Sequence, residues 1–147
     1  MREIDEYRLL NKADAMRRTF EHSVEKRALD KVALLLEDEA LIAIDIESML
    51  TDEGYQVVTF ATCSEALIWL REHSPAIAIV DVRLRDGACN PVARLLTERR
   101  IPFVVHSAAL VGGFASDPEF AAGVWLNKPS ADGEMLVSIS RAIGAAT

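Results

Sequence analysis

Short apolar runs alternate with longer, more polar segments along most of the chain. Five runs are rich in Val, Ile, Leu and Ala, the composition of strands that are buried on both faces of a parallel sheet. The predicted strands are residues 31–36, 55–60, 76–81, 101–107 and 124–127. The segments after each strand carry helix signals, either apolar residues at spacings of three and four or a polar cap followed by Pro. The predicted helices are residues 39–54, 64–74, 90–100, 116–123 and 131–144.

This alternation predicts an α/β fold, a five-stranded parallel sheet wrapped by helices on both faces through right-handed crossovers. Turn residues mark several element ends. Gly54 is the expected stop of the first helix, Thr62 or Ser64 is the expected cap of the second, and Pro75 ends that second helix.

The residues before the first strand form a separate segment. Residues 5–28 contain no Gly or Pro and carry apolar residues at spacings of three and four, which predicts an amphipathic helix. We therefore divide the chain into an N-terminal helical extension, residues 1–30, and a globular domain, residues 31–147. The extension either packs on the domain or forms a homodimer contact.

Composition narrows the class of protein. The chain of 147 residues has no apolar stretch of the roughly 20 residues that a membrane span needs, and its start lacks the apolar core of a signal peptide. A cytoplasmic protein without a membrane partner is expected. Cys63 and Cys89 lack metal-ligand spacing, so we expect reduced thiols that act as small packing residues.

Charge is unevenly distributed. Residues 1–31 hold 8 basic and 7 acidic side chains, whereas residues 32–147 hold 8 basic and 16 acidic ones. Because phosphate contacts supply most non-specific affinity for nucleic acid, an acidic domain without a basic stripe argues against direct nucleic-acid binding. The excess of carboxylates is consistent with a bound cation instead.

Polar side chains follow four of the five predicted strands. Three acids, residues 37–39, follow the first strand; Asp81, Ser107 and Lys128 lie at the ends of the third, fourth and fifth. The carboxyl ends of parallel strands share one edge of a sheet, so these residues converge on one crevice. Clustered carboxylates repel one another unless a cation keeps them ionised, and an all-oxygen site suits Mg²⁺.

A carboxylate beside Mg²⁺ can accept a phosphoryl group and form an acyl phosphate. Lys128 and the hydroxyl of Ser107 are suited to hold phosphoryl oxygens opposite the metal. Asp81 is therefore the candidate nucleophile of the crevice.

These residues resemble the receiver domains of two-component response regulators. The resemblance covers residues 31 to about 145 and rests on four motifs: LLLEDE, AIVDVRLRDG, VVHSA and WLNKP. The spacings also match: 43 residues separate Asp38 from Asp81, 26 separate Asp81 from Ser107, and 21 separate Ser107 from Lys128. The resemblance implies the (βα)5 flavodoxin-like receiver topology.

The resemblance also implies roles for individual residues. Asp81 is the implied phosphoacceptor, and Glu37, Asp38, Asp81 and the backbone carbonyl of Arg83 are the implied Mg²⁺ ligands. Lys128 is the implied phosphate-contacting lysine. The phosphodonor would be a sensor histidine kinase, a histidine phosphotransfer protein or a small phosphorylated molecule.

The implied switch pairs Ser107, the hydroxyl residue, with Trp125, the aromatic residue. Phosphorylation would repack the face around Trp125 and alter binding of a downstream protein partner. In this family the peptide bond before Pro129 is typically cis. The loop departs from the common family pattern at Arg83 and Arg85, and we expect Arg83 to alter the lifetime of the phosphoryl group.

Two other functions remain open on the sequence. A receiver-like module that binds a partner without phosphorylation needs the same fold. A phosphohydrolase with Asp81 as nucleophile shares the first chemical step, but no second acid suited to acid–base catalysis and no cap domain is evident. The leading interpretation is a single-domain response regulator that acts in signal transduction or as a phosphorelay component. It would catalyse only its own phosphorylation and dephosphorylation and would not otherwise be an enzyme.

Overall fold

The structure is a computed structural model that describes residues 31–108 and 118–146. The described residues belong to one compact unit, Lys31–Thr147. The helix predicted over residues 5–28 lies outside the described residues. Within the described ranges, no helix combines the length and apolar character needed to cross a membrane.

The elements alternate as the sequence predicts, with one addition, a short hairpin formed by β4 and β5. In chain order they are β1 (Val32–Leu36), α1 (Ala40–Asp52), β2 (Gln56–Phe60), α2 (Cys63–Leu70), β3 (Ile77–Val80), β4 (Arg83–Leu84), β5 (Gly87–Ala88), α3 (Asn90–Glu98), β6 (Phe103–Ala108), a 3₁₀ helix (Pro118–Phe120), β7 (Val124–Lys128) and α4 (Asp132–Ala146).

Five strands form the parallel sheet, in the order β2-β1-β3-β6-β7. The predicted five-stranded α/β fold is confirmed. Four α-helices rather than five lie within the described residues, since the segment predicted as a short helix over 116–123 contains a 3₁₀ helix at Pro118–Phe120. The chain order reverses between β1 and β3, and in sheets of this type ligands bind at such a switch point.

Alternate residues of the strands enter two cores on opposite faces of the sheet. Leu34, Leu36 and Val80 belong to the core that includes residues of α2 and α3. Leu35 and Ile79 belong to the core that includes residues of α1 and α4. Burial on both faces explains why the strands read as continuous apolar runs, and it fixes the edge at which polar residues can follow them.

Several helix ends follow local sequence signals, but the prediction that Pro75 ends α2 is wrong. The helix stops at Leu70, because the next two amides, of Arg71 and Glu72, donate to carbonyls only three residues back. Gly54 has a φ of 91°, a left-handed conformation that glycine adopts readily, and it ends α1 as predicted. Thr62 is the cap of α2, since its hydroxyl oxygen accepts from the amide of Glu65 at 3.3 Å. A Pro lies in the first turn of α3.

Candidate functional site

The two central strands bring the first pair of acids together. Leu36 of β1 pairs with Val80 of β3, so Glu37 and Asp81 each follow one residue later at the same edge. The amide of Asp81 also donates to the carbonyl of Leu36 at 3.2 Å. The parallel register therefore places the two carboxylates beside each other at the switch point.

Lys128 joins these carboxylates. Its ammonium donates to both carboxylate oxygens of Glu37 at 2.8 Å and to Oδ2 of Asp81 at 2.8 Å. Ser107 donates from its hydroxyl to Oδ1 of Asp81 at 2.9 Å. The structure thus brings together four of the predicted residues, each within or directly after a different strand of the sheet.

Burial controls the electrostatics of this group. Glu37 is only 3% exposed, and its burial raises its pKa from 4.5 to about 7, although the hydrogen bond and charge of Lys128 oppose this. Burial lowers the pKa of Lys128, but its hydrogen bonds to Asp81 and Glu37 outweigh burial, so that pKa lies above its usual value. Lys128 is therefore a stable cation, whereas Glu37 can take up a proton near neutral pH.

The acids after β1 form an oxygen-rich cluster. One carboxylate oxygen from each of Glu37, Asp38 and Glu39 lies within 4.8 Å of the other two. Among the described residues, this cluster includes Glu39 but does not include Asp81. The two carboxylate oxygens of Asp81 accept hydrogen bonds from Ser107 and Lys128 instead. Hard carboxylate donors in one cluster are suited to Mg²⁺, and a divalent cation would keep Glu37 ionised.

A cavity of about 270 Å³ opens onto Asp81. Its lining residues are Glu39, Asp81, Val82, Arg83, Ser107, Ala108 and Lys128. The acceptor carboxylate, the ammonium and the hydroxyl thus all line one space. Arg83, whose backbone carbonyl is predicted as a metal ligand, also lines this cavity.

Trp125 lies on β7 and is half-buried, packed against the core on the α2 and α3 side of the sheet. Its indole N–H donates to Oδ1 of Asn127 at 2.7 Å. Because alternate residues of β7 share a face, the two side chains lie on the same side of the strand. The role of Trp125 as a switch residue stays a prediction.

The loop after β3 is a hairpin that sequence reasoning did not predict. β4 and β5 pair antiparallel around Arg85 and Asp86, with Gly87 at a φ of 118°. The carboxylate of Asp86 accepts from the backbone amides of Cys63 at 2.8 Å and Ser64 at 3.0 Å, and these bonds lower its pKa. Gly87, directly after the two turn residues, was the available signal, because a glycine with positive φ commonly follows such a turn in short hairpins.

The expectation of reduced cysteines is wrong. Cys63 and Cys89 form a disulfide, although both are buried and do pack in the core as predicted. They are 26 residues apart in the chain. Cys63 is the first residue of α2 and Cys89 is the N-cap of α3, and the sequence spacing carried no sign that these two helices start side by side. The disulfide joins the loop after β3 to the start of α2.

The loop after β7 is anchored by a residue that sequence reasoning missed. His106 is only 4% exposed and lies next to Ser107 on β6. A hydrogen bond of 3.0 Å joins its Nε2 to the hydroxyl of Ser130, and its Nδ1 has no hydrogen-bond partner among the described residues. Lys128 and Pro129 are joined by a cis peptide bond, as predicted.

Solved structures similar to this domain include response regulator receiver domains. A response regulator receiver protein from Sinorhizobium medicae WSM419 is 26% identical, with a TM-score of 0.71 over 79% of this chain and 96% of that one. SdrG from Sphingomonas melonis Fr1 is 33% identical, with a TM-score of 0.61 over 81% of this chain and 97% of that one. The receiver domain of the sensor histidine kinase PA1611 from Pseudomonas aeruginosa PAO1, solved with magnesium in its active-site cleft, is 26% identical, with a TM-score of 0.68 over 78% and 98%.

Curated relatives agree with this class. The transcriptional regulatory protein PdtaR of Mycobacterium tuberculosis is 37% identical over 84 residues, which are 55% of this chain and 40% of PdtaR. The virulence transcriptional regulatory protein PhoP of Salmonella typhimurium is 43% identical over 53 residues, 24% of its length. These matches thus span less than half of each curated relative. No protein-family model matches the chain. The chain belongs to the response regulator receiver domains of two-component signalling.

Proposed function

We propose that Asp81 accepts a phosphoryl group in a Mg²⁺-dependent reaction and that the domain signals through this modification. The observation that carries the proposal is the convergence on one cavity of the Asp81 carboxylate, the Lys128 ammonium and the Ser107 hydroxyl. A carboxylate nucleophile beside two donors that can stabilise the charge of a phosphoryl group is suited to phosphoryl transfer.

The transfer forms one bond and breaks another. A carboxylate oxygen of Asp81 attacks phosphorus, the bond from phosphorus to the donor's leaving group breaks, and the leaving group takes up a proton. Lys128 and Ser107 each donate to one carboxylate oxygen of Asp81 before transfer. Both can turn to the new phosphoryl oxygens afterwards, where their hydrogen bonds offset the added negative charge.

Glu37, Asp38, Asp81 and the backbone carbonyl of Arg83 are the residues that we propose hold Mg²⁺. Glu39, which lies in the acidic cluster, adds a further carboxylate to this edge. When bound, Mg²⁺ supplies positive charge that neutralises the equatorial phosphoryl oxygens during transfer. Arg83 lines the same cavity, and its effect on the lifetime of the phosphoryl group remains a prediction.

The phosphodonor that we propose is a phosphohistidine on a sensor histidine kinase or a histidine phosphotransfer protein. Helix α1, which follows the acidic cluster, exposes Leu41 by 81% and Ile44 by 58%, so an apolar surface for a protein partner lies beside the site. The cellular location that we propose is the cytoplasm, and the proposed output is binding of a downstream protein or relay of the phosphoryl group.

The test is the intact mass of the protein after incubation with acetyl phosphate and Mg²⁺. We expect one added phosphoryl group on the wild type and none on Asp81→Asn or in the presence of chelator. The matched control is Asp45→Asn, which removes an exposed carboxylate of α1 and should leave uptake unchanged. Uptake by Asp81→Asn equal to that of the wild type would refute Asp81 as the acceptor.

A module that works without phosphorylation is the second candidate. The contacts of Lys128 with both Glu37 and Asp81 favour it, because the single positive charge offsets part of the repulsion between the two carboxylates without a metal. Mg²⁺ binding without phosphoryl uptake, from either acetyl phosphate or a phosphohistidine donor, would support this candidate.

A further inference from the structure

We propose that Cys63 and Cys89 are a redox modification site whose oxidation holds the loop after β3 in place and so strengthens Mg²⁺ binding beside Asp81. The inference rests on one part of the proposed function, the assumption that Mg²⁺ binds at this loop. It adds a thiol oxidant and a thiol reductant as the chemical partners of the domain.

The first argument is the path from the disulfide to the site. The amide of Cys89 donates to the carbonyl of Val82, the residue directly after Asp81, at 2.8 Å. Val82 and Leu84 are buried in the same core cluster as the two cysteines. Arg83 lies between them, so the segment that carries its carbonyl is held on both sides by groups in contact with this cluster.

The second argument is that the loop has a further, non-covalent attachment to the same helix end. Asp86 accepts from the amides of Cys63 and Ser64, and the amide of Arg85 donates to the carbonyl of Ala61 at 3.5 Å. These bonds are made by a carboxylate and by backbone groups, and none involves a sulfur atom. Reduction therefore loosens the hairpin without releasing it, which is the behaviour of a graded control rather than of a purely structural crosslink.

The third argument concerns access to the sulfur atoms. Cys63 is 6% exposed and Cys89 is fully buried. A thiolate or peroxide can reach them only when the hairpin moves away, because thiol–disulfide exchange requires direct attack on sulfur. A hairpin movement that exposes the sulfurs would also displace the carbonyl of Arg83, the proposed metal ligand that the hairpin carries. In a compartment that keeps thiols reduced, a disulfide of this kind is typically transient and regulatory.

The redox step balances with a peroxide oxidant and a dithiol reductant. One cysteine thiolate attacks hydrogen peroxide, the O–O bond breaks, and a sulfenic acid and hydroxide form. The second thiol attacks the sulfenic sulfur, the S–S bond forms and water leaves, so two thiols and one peroxide give the disulfide and two waters. In the reverse direction a dithiol donates two electrons and two protons and becomes a disulfide itself.

Linkage requires the coupling to act in both directions. If oxidation orders the loop before Mg²⁺ arrives, binding loses less conformational entropy and the dissociation constant falls. Bound Mg²⁺ must then favour the disulfide over the two thiols by the same factor. This reciprocity is a stricter test than an effect in one direction.

The experiment uses the full chain and Mg²⁺ alone as the probe. The Mg²⁺ dissociation constant is measured by calorimetry for the oxidised and the reduced wild type. The fraction of disulfide is then measured in a dithiothreitol redox buffer, with and without saturating Mg²⁺, by alkylating free thiols and determining intact mass. We expect about fivefold tighter Mg²⁺ binding by the oxidised form, the low end of usual coupling, and the same factor in the disulfide equilibrium.

Two variants complete the design. Asp38→Asn, which removes a proposed metal ligand, should abolish the effect of Mg²⁺ on the disulfide equilibrium. Cys63→Ala/Cys89→Ala should bind Mg²⁺ like the reduced wild type under all redox conditions, and the reduced wild type provides that measurement if the double variant does not fold. Equal Mg²⁺ affinity in the two redox states, or tighter binding by the reduced form, would overturn the proposal. Failure of phosphoryl uptake in both redox states, with the linkage intact, would instead refute the proposed function alone.

Discussion

Two loops deliver residues to the same cavity, and they are held by different physical interactions. The loop after β3, which follows Asp81, is held by a disulfide, by the carboxylate of Asp86 and by a short hairpin. The loop after β7, which follows Lys128, is held by a hydrogen bond between Ser130 and a buried histidine. The first attachment includes a disulfide, for which we propose a redox response, whereas the second includes a titratable imidazole.

The contrast extends to where the interactions are made. Asp86 and the disulfide connect the acceptor loop to the neighbouring helix α2, outside the site. His106 lies within the sheet, one residue from Ser107, so the lysine loop is attached to the strand that also supplies the hydroxyl. The attachments of the first loop thus lie farther from the reacting groups than that of the second, which is made one residue from Ser107.

The largest effect should come from reducing the disulfide. Closing a loop between residues 26 apart restricts the unfolded chain, and the loop-entropy relation gives about 3.5 kcal/mol of stabilisation. We expect the free energy of unfolding, measured by urea denaturation with chelator present, to fall by about this amount on reduction. A Cys63→Ala/Cys89→Ala variant whose stability does not change on adding reductant is the control. Coincident urea curves for the two wild-type forms would contradict this role.

The second effect is a pH dependence at the other loop. Burial, assisted by the charge of Lys128 and partly opposed by Asp81, lowers the pKa of His106 from 6.5 to about 4. In the unfolded chain His106 therefore takes up a proton below about pH 6.5, whereas in the folded domain it does so only below about pH 4. The contribution of His106 to the free energy of unfolding is fully present above pH 6.5. It is lost as the pH falls to 4, and the loss is up to about 3 kcal/mol.

A second group titrates in the opposite direction, so the wild type alone does not isolate this effect. The raised pKa of Glu37 stabilises the folded domain at low pH, and this contribution is lost as pH rises from 4.5 to about 7. His106→Gln can retain a hydrogen bond to Ser130 without titrating in this range. The free energy of unfolding of the wild type minus that of the variant should decrease as the pH is lowered from 6.5 to 4. A difference that stays constant over this range would exclude His106 as the source of the pH dependence.

The smallest effect should come from Asp86. Asp86→Ala removes the acceptor for the first two amides of α2 and should lower the free energy of unfolding by about 1 kcal/mol. Asp86→Asn retains an acceptor oxygen and should cost less. Arg85→Ala, in the same turn, is the matched control. Hydrogen exchange of the Cys63 and Ser64 amides should accelerate in Asp86→Ala, and unchanged exchange would show that the cap contributes nothing.

Local sequence was sufficient for the fold and for most of the candidate site. The five apolar runs, Gly54 and Thr62 each act through interactions within a few residues, so the strands, the end of α1 and the start of α2 could be predicted. The end of α2 at Leu70 was not. The positions of Asp81, Ser107 and Lys128 followed from one topological rule, because parallel strands must present their carboxyl ends at one edge. Their convergence was therefore predictable without knowing any distance.

Contacts between residues distant in the chain were decided only by the tertiary structure. The Cys63–Cys89 disulfide, the capping of α2 by Asp86 and the bond from His106 to Ser130 join residues 22 to 26 apart. Each depends on how two loops approach after the sheet has formed, and no local propensity encodes that approach. The raised pKa of Glu37 arises in the same way, because burial by surrounding elements, and not the LLLEDE motif itself, sets the cost of its charge.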